Sequence, residues 1–263
     1  MRIKTYVISL KDAVDRRKTV LEELSLYPFM DPEIVDAVDG REMSESEKQT
    51  CFDIKRFSYK ERHSPLPGEI GCTLSHRECY RRLLDSKEEF ALIVEDDVRF
   101  LAKRETVGSI FKGIVGKIPC KPYVMTLSCH LIYYPKGEYQ VGEYSFCRVF
   151  HAWGTCAYLI NRKGAKVLLE SGKPCCVADN YVEMGRLGIR VDGLYPMLAF
   201  GNSGIGDVSS SICDDCDMYS HVELPFYYKM KFYFFYKYQA LLIRLNLLKW
   251  RKDHKKIIYP RNL

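Results

Sequence analysis

Three carboxylates follow one another at Glu95, Asp96 and Asp97, directly after the apolar run Ala91, Leu92, Ile93 and Val94. Like charges at that spacing repel, and packing them together is costly unless a cation or hydrogen bonds compensate. A divalent ion is the economical compensation, and all-oxygen donors select magnesium, manganese or calcium. Magnesium and manganese commonly share their shells with substrate phosphates, which suggests a metal and diphosphate site; a solvated acidic turn behind a core strand is the alternative this stretch leaves open. A second acidic pair, Asp179 and Glu183, lies four residues apart on one face of a helix start, where a carboxylate serves equally as an N-cap or as a catalytic group. Arg16 and Arg17 fall in the first turn of an early helix, oppose its dipole, and are either solvated or held by an anion. Ser75 and His76 sit within a long helix and, on their own, read as a satisfied polar pair at a helix interface.

The elements that must position these residues are legible in outline. The apolar run before Glu95 is too short for a helix and lacks alternation, the pattern of a strand buried on both faces of an α/β sheet. Its acids then stand at the carboxyl end, the edge where such sheets bind ligands. Thr5 to Leu10 reads as a first strand, followed by a helix with Val20, Leu21 and Leu24 on one side, then a second strand from Glu33 to Val38 closed by the Asp39-Gly40 turn. Strand, helix, strand opens a nucleotide-binding half-sheet, yet no GxGxxG loop is present, so phosphate must be held by something other than a glycine cradle, and the carboxylates with their metal are the candidates. Ser44 to Glu47 fits a capping box, the 57–67 segment with its flanking Arg56 forms a basic loop near the site, and Gly68 to Ser86 is a long helix. A helix over 104–115, a strand over 123–127, and two further strand-like runs over 144–150 and 155–160 follow. Lys136 to Glu143 reads as a polar excursion that shapes an acceptor pocket. Asn161 caps a helix that Gly172 and Pro174 end, and Phe200 to Ile212 is Gly- and Ser-rich, a natural lid.

The chain of 263 residues carries a formal charge of +6, unevenly placed: from Lys229 onward ten Lys or Arg face one Asp, leaving the remainder at −3. The body is therefore not expected to bind nucleic acid. Eleven cysteines, an odd number, are scattered through apparent core elements, and the opening MRIKTYVISLKD has no secretory signal, so free thiols in a reducing cytoplasm are expected. The Cys213/Cys216 pair and the adjacent Cys175 and Cys176 make a weak case for zinc. Drawn as a helix, the tail places Lys237, Arg244 and Arg251 in one basic line amid aromatics. That suits the headgroup region of an anionic membrane, the alternative being a terminal helix packed on the domain.

YVISL at Tyr6 to Leu10 with Asp15, Arg16 and Arg17, GEIGCTLSH at Gly68 to His76, and ALIVEDDV at Ala91 to Val98, in that order, resemble glycosyltransferase family 25. GTCAYLINRKGAKVLL at Gly154 to Leu169, ADNYV at Ala178 to Val182 and the serines at 209–211 resemble its later blocks. The resemblance implies an α/β fold of GT-A type, one Rossmann-like sheet with helices on both faces, over residues 1–212, with 213–263 as a basic aromatic tail. It implies a metal-dependent, inverting transfer of a sugar, galactose from UDP-galactose first among candidates, onto a sugar hydroxyl of a lipooligosaccharide or lipopolysaccharide acceptor. On that reading Asp97 holds Mn2+ or Mg2+, Glu95 serves the ribose or the metal, and Asp96 joins the same network. Ser9, Leu10, Arg17 and Asp39 lie along the nucleotide, and Ser75 and His76 support the site. Asp179 is the base, with Glu183 in reserve. The expected setting is the inner face of the bacterial cytoplasmic membrane. Another UDP-sugar, or a silent nucleotide-sugar-binding protein, are the competing readings.

Overall fold

Along β1 (Ile3–Ser9) successive side chains enter different cores: Ile3 and Val7 pack with Val20 and Leu24 of α1 (Val14–Ser25), whereas Tyr6 and Ile8 pack with Cys79, Tyr80 and Leu83 of α4 (Pro67–Asp85). β3 (Phe90–Glu95) does the same, Leu92 and Val94 on the first side, Ala91 and Ile93 on the second. A strand covered on both faces has no reason to alternate polar with apolar residues, which is why both runs read as continuously apolar. The computed structural model describes residues 2–128, 130–201 and 222–251.

β1 lies between β2 (Met30–Asp36) and β3, parallel to both. The chain passes from β1 through α1 to one side, then from β2 through α2 (Glu45–Cys51), α3 (Ile54–Glu61) and α4 to the other. This reversal of direction between β1 and β3 opens a crevice at their carboxyl ends, the place where open α/β sheets bind ligands.

The remaining strands extend the sheet from β3. After β4 (Val98–Phe100) and α5 (Arg104–Val115) come β5 (Tyr123–Thr126), β6 (His130–Val141), β7 (Tyr144–Trp153) and β8 (Ala157–Asn161), with α6 (Arg162–Glu170), α7 (Tyr181–Arg186) and β9 (Arg190–Tyr195) following. With β11 (Lys249–Arg251) at one edge, the order is β11-β6-β7-β9-β5-β8-β3-β1-β2, a mixed nine-stranded sheet, and β4 pairs separately with β10 (Ala199–Gly201). α1 and α5 cover one face; α4, α6 and α7 cover the other. The α/β class and the single sheet with helices on both faces are therefore as the sequence indicated.

Three expectations need correction. The 57–67 segment is a loop only beyond Glu61, because Arg56, Phe57 and Lys60 belong to α3. Lys136 to Glu143 is no loop excursion: most of it continues β6 into a long hairpin with β7, its turn lying at Gly142 and Glu143. Arg251 does not extend a helical basic line, because α8 (Phe226–Arg244) ends first and Arg251 belongs to β11 (Lys249–Arg251), paired on β6, with its guanidinium bonded to Glu138. The described part of the expected tail is thus continuous with the sheet. The expected boundary at 212/213, the 202–212 part of the lid, the 209–211 serines and the Cys213/Cys216 pair lie outside the described residues.

α4 starts against the loop after β2 with no room to spare. A Cβ on Gly71 would stand 2.3 Å from the Val38 carbonyl oxygen and 2.8 Å from the Gly40 nitrogen, both backbone atoms. Gly71→Ala is expected to destabilise the fold by about 1–3 kcal/mol, an overpacking cost, read as a lower urea midpoint at unchanged slope.

Candidate functional site

Ser9 and Leu10 at the end of β1, Asp39 after β2, Ser75 and His76 on α4, and all three acids after β3 line one cleft at the β1/β3 crevice. Each acid is compensated differently. Asp96 accepts from the Ser9 hydroxyl at 2.6 Å and pairs with the Arg16 guanidinium. Burial, reinforced by the charge of Asp97, nevertheless raises its pKa. Glu95 accepts from the Thr155 hydroxyl at 2.5 Å and lies 3.5 Å from His76 Nε2. Burial pushes this carboxyl up, but His76, Thr155 and the charge of Arg16 together bring it below the ordinary range. Asp97 sits under Gly201 of β10, where an added Cβ would come within 2.9 Å of Oδ2.

His76 is fixed from behind by a 2.8 Å hydrogen bond between Nδ1 and the Tyr158 hydroxyl. Ser75 donates to the Gly71 carbonyl at 2.7 Å and accepts from Val38 N–H at 2.8 Å, so it holds the loop carrying Asp39 rather than facing a ligand directly. Asp39 is engaged by Arg41, which lowers its pKa. The two adjacent arginines divide their duties. Arg17 is absent from the cleft wall: it donates to the Leu10 carbonyl at 3.0 Å, the Ser9 carbonyl at 2.9 Å and Asp36 at 2.6 Å, and so fixes the end of β1. Arg16 lines the cleft, and its buried Nε has no hydrogen-bond partner among the described residues.

The three acids do not converge on a single point. Among the described residues, the group whose acid, thiol and imidazole ligand atoms lie within 4.8 Å of one another is Cys72, His76 and Glu95. For a hard cation the fitting donors in the cleft are Glu95, held ionised, and Asp97; Asp96 is already committed to Ser9 and Arg16.

Asp179 and Glu183 stand beside a neighbouring cavity, not in the cleft itself. The cap of α7 is Asn180, whose side chain accepts from Glu183 N–H at 2.9 Å; Asp179 is left for another task. Its Oδ2 accepts from Gly154 N–H at 2.8 Å, and burial raises its pKa. Glu183 is gripped by the Lys60 ammonium at 2.5 Å and by Arg186 at 3.3 Å; burial pushes its pKa up, but these contacts win and hold it low. A carboxylate so paired is a poor proton acceptor, so the geometry separates two acids that spacing alone could not. Gly154 and Thr155 connect the two regions: the first holds Asp179, the second holds Glu95.

A family model described as "Glycosyltransferase family 25 (LPS biosynthesis protein)" matches residues 2–119. Over those residues the chain is similar to glycosyltransferase family 25. It is 29% identical over 175 residues to procollagen galactosyltransferase 2 of Homo sapiens, covering 62% of this chain and 27% of that protein. It is 30% identical over 179 residues to a glycosyltransferase 25 family member of Aedes aegypti, with 63% and 27% covered. A third relative, 28% identical over 179 residues with 64% and 29% covered, is named "probable inactive glycosyltransferase 25 family member 3", from Bos taurus. The chain thus spans about three tenths or less of the length of these curated relatives. Among solved structures, galactosyltransferase LgtC in complex with donor and acceptor sugar analogs is 9% identical with a TM-score of 0.37, covering 76% of this chain and 74% of that one.

Several side chains at the site were not singled out from sequence as ligands or bases. Thr155 and Cys72 lie within blocks that carried the resemblance, but no charge or spacing marks them. Glu61, bonded to Asn180 at 2.8 Å, shares the cavity of Asp179 and is likewise pushed up by burial. Cys51, Cys72, Cys79, Cys120, Cys175 and Cys176 are free thiols. Cys175 is lowered to about 6, first by its hydrogen bond with Cys176, against burial, and then by Lys60.

Because folding raises the Asp179 pKa, its protonated form favours the folded state: that stability is complete below the unfolded value and lost as pH rises through the folded one. Asp179→Asn keeps an acceptor for Gly154 N–H and never ionises. The variant is expected to exceed the wild type in unfolding free energy at pH 7, with the gap narrowing as pH falls toward 4, read by urea titration at each pH.

Proposed function

We propose that the chain is a glycosyltransferase that moves a sugar, galactose from UDP-galactose first among candidates, onto a sugar hydroxyl of a lipooligosaccharide or lipopolysaccharide acceptor. The observation that carries the reading is the β1/β3 cleft, lined by Glu95, Asp97 and Arg16 and linked through Gly154 and Thr155 to Asp179, whose pKa burial raises. The names of the relatives and of the family support the sugar and the acceptor class.

In an inverting transfer the acceptor oxygen bonds to the anomeric carbon as the bond from that carbon to the diphosphate breaks, and UDP leaves with the electron pair. Asp179 takes the hydroxyl proton, a task that suits a carboxyl whose pKa burial raises above the ordinary carboxylate range. Arg16 places positive charge beside the leaving phosphates. Mn2+ or Mg2+, held by Glu95 and Asp97, would supply Lewis-acid neutralisation of the same charge. Ser9, Leu10 and Asp39 border the nucleotide, while Arg17 and Ser75 hold the backbone that presents them.

A silent nucleotide-sugar-binding protein is the second reading, favoured by the relative named as inactive. Incubation with a panel of UDP-sugars, manganese and glycolipid separates the two by UDP release. Asp179→Asn is expected to reduce turnover about a hundred- to ten-thousand-fold with donor affinity retained, and Asp97→Asn to remove the stimulation by cation. Full transfer by the Asp179→Asn enzyme would falsify the assignment of the base, and no release from any donor would favour the silent protein.

The same proposal places the chain at the surface of an anionic membrane, on the cytoplasmic side. α8 exposes Phe226, Tyr227, Tyr233 and Phe234 at 77, 67, 54 and 61%, and no helix among the described residues is long and apolar enough to cross a bilayer. Aromatic side chains on a helix with exposed Lys229 and Lys237 suit an interfacial seat. Replacing Phe226, Tyr233 and Phe234 together by Ser is expected to abolish pelleting with phosphatidylserine vesicles while transfer to a soluble acceptor persists; unchanged pelleting removes the membrane proposal.

A further inference from the structure

α8 has a second face. Tyr228, Phe232 and Phe235 turn inward and, with Lys231, close a cavity whose opposite wall is the end of α3, the start of α7 and the end of β7. The wall is seated by aromatic contacts: Phe235 stacks on Phe150 at 5.7 Å and Tyr228 lies 5.2 Å from Tyr59. Asp179 and Glu61 are on the facing side, next to the half-exposed ring of Trp153. Aromatic surface for the apolar faces of a ring, with a few converging polar groups for its hydroxyls, is the chemistry of a carbohydrate subsite.

The charge is the more selective feature. Lys60, Arg62, Arg186 and Lys231 line this cavity against Glu61, Asp179 and Glu183. Glu183 is used up by Lys60 and Arg186. Arg62 lies over the rings of Phe232 at 5.3 Å and Tyr236 at 5.9 Å, and among the described residues neither it nor Lys231 pairs with a carboxylate. Burial foremost, then repulsion from Arg186, lowers the pKa of Lys231, which shows positive charge crowded there. Four cations against three acids leave this lining net positive, and burial raises the pKa of both Glu61 and Asp179. His151, also on the wall, is held below its ordinary pKa by burial and adds no charge at neutral pH.

We propose that this cavity is the acceptor subsite and that it selects a saccharide bearing an anionic substituent, a phosphate or a carboxylate, with Arg62 and Lys231 as its counter-charges. The inference rests on the transferase reading above and adds the class of acceptor and the role of α8. The ring packs on the aromatic wall with its reacting hydroxyl at Asp179, and the anionic substituent replaces the missing partners of the two cations.

Trp153 lines the cavity and, with Trp250 stacked 6.4 Å away, accounts for both tryptophans of the chain, so intrinsic fluorescence reports on this space. The full chain, without donor, is titrated with galactose 6-phosphate, galacturonate and galactose, by fluorescence and by calorimetry. At least one anionic sugar is expected to bind ten times or more tighter than galactose, and the two anionic probes distinguish phosphate from carboxylate. Lys231→Gln is expected to erase most of that preference without altering galactose binding, and Lys231→Arg to restore it; Arg62→Gln serves as the second variant, with circular dichroism checking the fold. Equal affinity for neutral and anionic sugars, no saturable binding, or wild-type preference in both Gln variants would overturn the proposal. UDP release from donor alone is measured in parallel. Release without charge preference rejects the subsite and leaves the transferase reading standing, whereas charge-selective binding with no release from any UDP-sugar rejects the acceptor role.

Discussion

Three consecutive carboxylates at the end of a strand buried on both faces can coexist only if each has its own means of compensation, and the architecture around β3 follows from that constraint. Glu95 turns to Thr155 and His76, Asp96 to Ser9 and Arg16, and Asp97 to the space left by Gly201. These partners come from five different parts of the chain, so the cleft is assembled by tertiary structure and not by a single loop. The Ser9 to Asp96 bond joins neighbouring parallel strands at the point where the connections reverse direction, and Arg17 secures the same strand end from the other side. Electrostatic necessity and sheet topology thus coincide at one place.

What the sequence made legible was whatever depends on local pattern. β1, β3, α4, the Ser44 capping box and the Asn161 cap are found where apolar runs and capping residues put them. Eight of the eleven anticipated site residues share one cleft, because strand ends and the α4 face converge on the topological switch point. What was illegible depends on partners distant in sequence. The 136–143 segment is polar and contains glycine, yet pairing with β7 makes most of it strand. Its polarity reflects a hairpin end that is only partly covered: Lys136, Gln140 and Glu143 meet solvent while Tyr139 and Val141 pack on the core.

The same limit explains the two acids near residue 180. Asp179 and Glu183 are equivalent in type and lie on one helical face, so spacing offers no means of ranking them. Packing does: Lys60 arrives from α3 to neutralise Glu183, while Asn180 takes the cap and leaves Asp179 to backbone N–H donors, Gly154 foremost, in a buried setting. One acid is thereby held ionised and the other is displaced toward protonation. Arg16 and Arg17 show the complementary case, adjacent cations of which one braces a strand and the other lines the cleft and pairs with Asp96.

α8 shows why composition could not choose between membrane and domain for the tail. Its aromatics occupy nearly the whole circumference, a pattern equally suited to burial and to an interface. Leu242, Gln239, Phe235, Phe232 and Tyr228 recur at helical spacing on the face turned to the body, whereas Phe226, Tyr233, Phe234 and Leu241 are exposed. β11 then returns the chain to the sheet edge, which anchors the helix at its far end and fixes which face looks inward. A helix held in this way can present one aromatic surface to a ring in the cavity and another to lipid. If both assignments hold, an acceptor embedded in a membrane would reach Asp179 along the wall formed by the element that touches that membrane, so membrane contact and acceptor access would be properties of a single helix.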